Sequence, residues 1–338
     1  MLEEAQGRLR ARVSLTPFLG ALVLADRLDA RGRHAVRPPD LSAWNVAASL
    51  PPGAPRLVDA GCGAGAILLA AARRGGQAFG FDIDARALAF AELNLLFNQV
   101  PEGRVQLALA DVRDPPPGSY APGSTCVFNA PLVRAEMTGD APLYLHAPGG
   151  ESLPLAFLES ARGALAQPGG EALCHVQLTE PIWEAAARGP RSSLVALEFA
   201  HAPDGTPHAL LALHANSMAE TAAPHRARFR VPLGPALPHL RREIVDRLHA
   251  AAALLGAEPA QLEEAVVRPA PWLQLVRSEQ HDGHTFRARE LRFGGALLDE
   301  DDAALLGRCD GRRTSEVARD DDELGRLRGL LERGLLVP

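Results

Sequence analysis

Three glycines and three acids carry the first chemical signal in this chain. Gly61, Gly63 and Gly65 lie in LVDAGCGAGA, directly after an apolar, strand-like run and directly before a helical one. Backbone without side chains can turn tightly there and approach a ligand at the helix N-terminus. The spacing is GxGxG, whereas dinucleotide sites use GxGxxG. Asp59 stands two residues before the first glycine. A carboxylate there would repel a pyrophosphate, yet it can accept hydrogen bonds from an ammonium group. Asp82 ends the next run, FGFDID, at the distance beyond the glycines from which an acid accepts both hydroxyls of a ribose. Asp84 suits the N-cap of the following helix instead. Asp111 ends a third run, ALADVRD, and can accept from an adenine amino group. A fourth apolar run stops abruptly in CVFNAPL, residues 126–132, at Asn129 and Pro131. Together the first three strand ends describe a site for a nucleoside that also carries an ammonium group.

These residues need a frame of alternating strands and helices. From residue 56 the pattern runs strand (RLVDA), Gly-rich turn, helix (AILLAAARR), strand (QAFGFDI), helix (ARALAFAELNLLF), strand (VQLALADV), Pro-rich loop and strand (STCVFNA). A helix (LPLAFLESARGAL), a strand (EALCHVQL) and a helix around Trp183 continue it. Strands separated by helices of this length predict βαβ units and a parallel sheet. SLVALEFAHA and HALLALHA, joined by PDGTP, predict a terminal antiparallel hairpin. Residues 14–28 carry apolar positions at helical spacing after a Ser/Thr start, which predicts a packed N-terminal helix before the RPPD break. The expected organisation is an N-terminal helical cap over 1–48, the α/β domain over 49–217, and an accessory, mostly helical C-terminal domain over 218–338.

Composition narrows the function. The chain has 338 residues, 47% of them hydrophobic, enough for one large core and a smaller unit. All 35 basic residues are arginine, and the formal net charge is −6, which argues against a broadly electropositive surface that tracks phosphate backbones. The arginines at 8, 10, 12, 27, 31, 33 and 37 leave a local basic arm open, beside the reading of a solvated amphipathic helix. No apolar run approaches the length of a spanning helix, and the N-terminus lacks a signal-peptide layout, so a cytoplasmic location is expected. Cys62, Cys126, Cys174 and Cys309 form no CxxC pair, and reduced thiols are expected. His281 and His284 in QHDGH read as a hairpin tip rather than a metal site.

Residues 50–216 resemble a class I S-adenosylmethionine-dependent methyltransferase, with a Rossmann-like, seven-stranded sheet. ALAFAELNLLFN, with Asn94 ending its AxxN step, resembles the second helix of that family. The resemblance implies that Asp59, Gly61, Cys62, Gly63 and Gly65 hold the methionine part of S-adenosylmethionine. It implies Asp82 for the ribose and Asp111 for adenine, with Ile83 and Val112 also binding the cofactor. FNAPL resembles the NPPY or NPPF loop of the small-domain group, which methylates exocyclic or amide nitrogens. In that group the Asn side chain and the following carbonyl accept from the target NH2, and Asn129 also faces the cofactor methyl. Here Asn129 and Pro131 are kept, Ala130 replaces a proline, and Leu132 replaces the stacking aromatic, a loss worth roughly 1–3 kcal/mol per base. Tyr144 or Phe18 are the aromatics that could compensate.

Displacement at a sulfonium needs positioning and desolvation more than acid-base chemistry. If a base were needed, His146 and His175 are the candidates, each with a structural role as the competing reading. The C-terminal LLDEDDAALLGRCDGRRTSEVARDDDELGRLRGLLERGLLVP resembles small winged-helix units, including peptide-binding modules, with a plain helical cap as the alternative. The expected function is methyl transfer to a small molecule or natural-product peptide, at nitrogen before oxygen or carbon. The alternative is an RNA base or a protein glutamine, and a non-catalytic module is the third reading.

Overall fold

A computed structural model describes the chain except residues 1, 6–7, 31, 52–53, 55, 132–142, 144–150, 189–191, 202–204, 216–225, 231–242, 245, 248–249, 252–253, 256–258, 272–274, 282–285 and 294–295. It divides into two compact units. The first comprises Met1–Gly189 and His201–Ala215, the second Pro190–Ala200 and Asn216–Pro338.

The first unit opens with two antiparallel strand pairs: β1 (Leu2–Ala5) with β2 (Arg8–Ala11), and β3 (Val13–Phe18) with β4 (Ala21–Asp26). The helix expected over residues 14–28 is therefore corrected to a hairpin. Leu19 and Gly20 both adopt positive φ, 46° and 80°, the geometry of a tight two-residue turn that no helix tolerates. The apolar residues that fit a helical period fit the alternation of β4 equally well, since Ala21, Val23 and Ala25 are buried and Leu22 is exposed.

The α/β pattern follows the sequence closely. Helix α1 (Leu41–Ala48) is capped by Asp40, whose carboxylate accepts from the Ser42 and Ala43 amides. Then come β5 (Arg56–Ala60), α2 (Ala66–Arg73), β6 (Gln77–Asp82), α3 (Ala85–Phe97), β7 (Val105–Leu109) and β8 (Thr125–Asn129). α4 (Ser152–Ala161), β9 (Glu171–Gln177), α5 (Glu180–Ala187), β10 (Ser192–His201) and β11 (Pro207–Ala215) complete the run. Within the first unit the sheet order is β11-β9-β8-β5-β6-β7, parallel except for β11 against β9. The order reverses beside β5, and this is where a doubly wound sheet opens a crevice at its carboxyl ends. Behind it runs a column of rings, Phe81, Tyr120, Phe157 and Phe128, with centroids 5.4 to 6.3 Å apart. The expected terminal hairpin has β11 as its antiparallel strand, and part of its PDGTP turn lies outside the described residues.

The second unit holds β10 in parallel with β12 (Arg226–Arg230), followed by α6 (Pro259–Glu264), β13 (Val266–Pro269), β14 (Leu275–His281), β15 (Phe286–Phe293) and β16 (Ala296–Leu298). It ends with α7 (Glu300–Arg308), β17 (Arg312–Arg313), α8 (Thr314–Val317), α9 (Asp321–Glu332) and β18 (Leu336–Val337). This part is mixed rather than mostly helical: β14, β15 and β16 form an antiparallel meander, and β13 pairs with both β17 and β18. Alternating polar and apolar residues in FRARELRF favour a strand over a helix. His281 ends β14 and Phe286 begins β15, in line with the hairpin reading of QHDGH; His284 lies outside the described residues. The core of this unit joins Leu197 and Phe229 to Ile244, Val267, Leu305, Leu327 and Leu331.

Candidate functional site

The four strand ends meet at one pocket of about 290 Å³. Gly61 and Gly63 line it from the turn after β5, Asp82, Ile83 and Asp84 from the end of β6, Asp111 and Val112 from beyond β7, and Phe128, Asn129 and Pro131 from the end of β8. A wall absent from the sequence reading comes from Arg33, Ala35, Val36 and Arg37.

The glycine loop is shaped by positive φ at Gly61, Gly63 and Gly65, 64°, 53° and 78°. Each glycine serves a different neighbour. A Cβ on Gly61 would lie 3.3 Å from the Phe128 ring, and one on Gly65 would lie 3.0 Å from Ala91 Cβ, whereas at Gly63 nothing comes within 4 Å. Gly65 thus packs α2 on α3, and Gly63 leaves the pocket open. Cys62 is buried beneath the loop, where its amide donates to the Phe81 carbonyl at 3.0 Å.

Asp82 is held by two backbone amides. Its Oδ2 accepts from the Gly63 amide at 2.8 Å and its Oδ1 from the Asp84 amide at 2.9 Å. Burial raises its pKa, with a further push from the Asp84 charge, against the pull of those amides. Asp84 caps α3 through the Arg86 amide, as its position suggested, and its other oxygen sits 3.2 Å from His34 Nδ1. Asp59 differs: it is 1% exposed, lies under the loop rather than on the pocket wall, and its Oδ2 has no hydrogen-bond partner. Burial, and then the Asp82 charge, raise its pKa well above the usual carboxylate range. Asp111 lines the pocket with its carboxylate held by its neighbour's guanidinium, Arg113 Nε lying 3.0 and 3.1 Å from the two oxygens. That pairing holds its pKa low.

The wall at residues 33–37 is clasped from two sides. The Asp26 amide donates to the Val36 carbonyl at 3.0 Å, and the Val36 amide returns to Asp26 Oδ2 at 2.8 Å. Arg86 NH2 donates to Asp26 Oδ1 at 2.7 Å, and its NH1 donates to the His34 carbonyl at 2.8 Å. The Arg86 side of this closure joins residues 52 and 60 apart in sequence, so no local signal announces it.

At the acceptor end, Asn129 Nδ2 donates to Ser42 Oγ at 3.0 Å and Asn129 Oδ1 lies 2.9 Å from His175 Nδ1. Ala130 is buried, and its amide donates to the His175 carbonyl at 3.1 Å. Burial, and then the nearby His208, push the His175 pKa down to about 4, against a pull from Asp40. Of the two histidines considered as bases, His175 stands beside Asn129, and His146 lies outside the described residues, as do Leu132 and Tyr144. Phe18 is buried at the end of β3 and is not among the residues lining the pocket. No group of three or more His, Cys, Asp or Glu side chains suited to a metal occurs among the described residues.

The residues present fit S-adenosylmethionine. Asp82 keeps free lone pairs beside two committed amides, the position at Gly63 is open, and the buried Asp59 oxygen beneath the loop lacks a partner. This fold and site suit an enzyme that transfers a methyl group from S-adenosylmethionine. Residues 41–141 match the family model described as methyltransferase small domain. No curated protein matches the sequence. Among solved structures the chain is similar to TYW2 of P. horikoshii in complex with MeSAdo, at 17% identity and TM-score 0.45, covering 62% of this chain and 75% of that one. It is also similar to a TehB-like SAM-dependent methyltransferase of Corynebacterium glutamicum, at 18% identity and TM-score 0.37, covering 53% and 90%. An rRNA methylase of Streptococcus thermophilus shares 16% identity at TM-score 0.36, covering 51% and 92%. Among the described residues no helix is long and apolar enough to cross a membrane.

Proposed function

We propose that this enzyme methylates a nitrogen on a small molecule or natural-product peptide, with Asn129 holding the acceptor. The observation that carries the reading is that Asn129 and Pro131 line the same pocket as Asp82, Gly63 and Asp111. Bound S-adenosylmethionine supplies an electrophilic methyl group on a sulfonium. Gly61, Cys62, Gly63 and Gly65 form the turn that receives its methionine part. Asp59 charges when an ammonium group arrives, because a nearby cation offsets the burial that keeps its carboxyl neutral. Asp82 and Ile83 take the ribose, Asp111 and Val112 flank adenine, and Asn129 borders both ligands. At the acceptor, Asn129 Oδ1 and the Ala130 carbonyl accept from the target N–H groups, turning the nitrogen lone pair toward the methyl. The buried surroundings exclude water and hold the reactants in line. A neutral amine needs no base before attack: the S–CH3 bond breaks as the N–CH3 bond forms, S-adenosylhomocysteine is the leaving group, and the surplus proton on nitrogen passes to water as the product leaves, in keeping with a His175 that stays uncharged at neutral pH.

A second reading, methylation of an RNA base or a protein glutamine, is favoured by Arg33, Arg37 and Arg113 on the pocket wall. Two of these are already engaged, Arg37 with Asp40 at 3.3 Å and Arg113 with Asp111. Labelled S-adenosylmethionine with fractionated lysate tests both readings. Label in small molecules or peptides is expected, and label chiefly in RNA would overturn the first reading. Asn129→Ala is expected to lower transfer about 10²-fold or more with little change in S-adenosylhomocysteine affinity, by analogy with loss of one site-defining hydrogen bond.

A further inference from the structure

The Asn129 amide is held at both ends, and the order of donors along that chain follows from one carboxylate. Asp40 caps α1 and accepts from the amides of Ser42 and Ala43 and from the Ser42 hydroxyl at 2.5 Å. Burial opposes its charge, but the bonds from Ser42 and Ala43 and the Arg37 guanidinium outweigh it, so the group is ionised. An ionised carboxylate only accepts. The Ser42 proton therefore points to Asp40, and the hydroxyl oxygen can only accept from Asn129, 3.0 Å away. The group facing Ser42 must then be the NH2, and the group facing His175 must be the carbonyl oxygen. A carbonyl needs a donor, so His175 carries its proton on Nδ1. The two strands supply the register: Asn129 and His175 are paired neighbours on parallel β8 and β9.

We propose that Asp40, Ser42 and His175 are positioning residues that set the direction of the Asn129 amide, fixing Oδ1 as the acceptor presented to the substrate nitrogen. Amide oxygen and nitrogen have nearly the same shape, so packing alone does not choose between them. Reversed, the amide would present an NH2 to a substrate NH2, two donors facing each other. The chain runs in one direction, and it starts outside the pocket wall, at the helix cap Asp40, whose partner Ser42 is 87 residues away from Asn129. This proposal rests on the reading of Asn129 as the acceptor-holding residue.

The test uses the full-length chain with 15N-labelled histidine, and His175→Asn identifies the His175 signals. Long-range 1H–15N spectra at neutral pH should report His175 with Nδ1 protonated and Nε2 bare. The opposite tautomer in the unmodified protein would overturn the proposal. Turnover on the labelled acceptor fraction is expected to fall roughly 10- to 100-fold in Ser42→Ala and His175→Leu, the scale of one buried hydrogen bond. S-adenosylhomocysteine affinity should stay within about twofold, because the chain touches only the amide. His175→Asn, which can donate from near the Nδ1 position, should recover most of the loss. Equal losses in the Leu and Asn variants, or losses that track cofactor affinity, would show a merely structural role. Absence of cofactor binding or label transfer in the unmodified protein would instead overturn the methyltransferase reading, and the tautomer measurement needs neither ligand nor turnover.

Discussion

Asn94 on α3 pairs with Leu24 on β4 as one strand pairs with another: the Leu24 amide donates to Asn94 Oδ1 at 2.7 Å, and Asn94 Nδ2 donates to the Leu24 carbonyl at 2.8 Å. Asn98 repeats this with Leu22, at 3.0 and 2.8 Å. One helical turn of about 5.4 Å nearly matches two strand residues of about 6.6 Å, so residues four apart on a helix can satisfy residues two apart on an edge strand. Asn94 Nδ2 also reaches the Ala64 carbonyl in the glycine loop, at 2.9 Å. The AxxN step therefore docks the N-terminal hairpin and braces the loop together.

Asn94→Ala should cost about 2–3 kcal/mol, since it strips partners from buried backbone groups, while Asn98→Ala, at a half-buried position, should cost about 0.5–1.5 kcal/mol. Denaturant unfolding gives the two values. Hydrogen exchange of the Leu24 amide should accelerate in the first variant and that of Leu22 in the second. Unchanged exchange in both would mean the hairpin docks by apolar contact alone.

Gly65→Ala and Gly63→Ala should separate fold from binding. Both force a side chain to positive φ, at about 1–2 kcal/mol. The Gly65 substitution adds a clash, because its Cβ would meet Ala91 Cβ at 3.0 Å and Ala91 Cα at 3.3 Å. We expect a clearly larger fall in Tm for Gly65→Ala. Gly63→Ala should keep most of its thermal stability and lose at least tenfold in S-adenosylhomocysteine affinity by calorimetry, as its methyl enters the pocket.

Asp59→Asn should raise stability and lower cofactor affinity. The folded pKa of Asp59 is raised, so the unfolded chain releases a proton that the folded chain keeps. Stability is therefore lost as pH rises from the ordinary carboxylate pKa toward the folded value, and Asn removes that dependence. The variant's advantage in Tm should grow between pH 4 and 7. Titration with S-adenosylhomocysteine should show the accompanying loss of an ammonium partner; tighter binding would contradict the role proposed for Asp59.

His175 predicts the opposite slope. Its pKa falls from 6.5 to about 4 on folding, so between those values the unfolded chain binds a proton that the folded chain refuses. Acid thus destabilises the fold across this window, by roughly 3 kcal/mol in all. His175→Asn should lose less stability than the unmodified protein between pH 6.5 and 4, measured by urea midpoints. Parallel curves would mean that the histidine titrates normally.

What the sequence by itself determined were the features written in contiguous residues. Strand, glycine turn, helix and terminal acid follow one another within LVDAGCGAGA, FGFDID and ALADVRD, and CVFNAPL ends its strand at Asn129 as read. A parallel sheet with short connections brings successive strand ends to one edge whatever the details, so these local patterns sufficed to assemble the pocket. The N-terminal segment misled because its apolar residues suit both periods, and the turn that decides between them rests on positive φ at Leu19 and Gly20, for which LG is a weak signal. Only the tertiary structure decided the hold of Asp26 on Val36 and of Arg86 on Asp26 and His34, the grip of Asn94 on Leu24, and the chain from Asp40 to His175. Each joins residues whose separation in sequence carries no periodicity, and hydrogen bonds between such residues exist only once packing has brought them within about 3 Å.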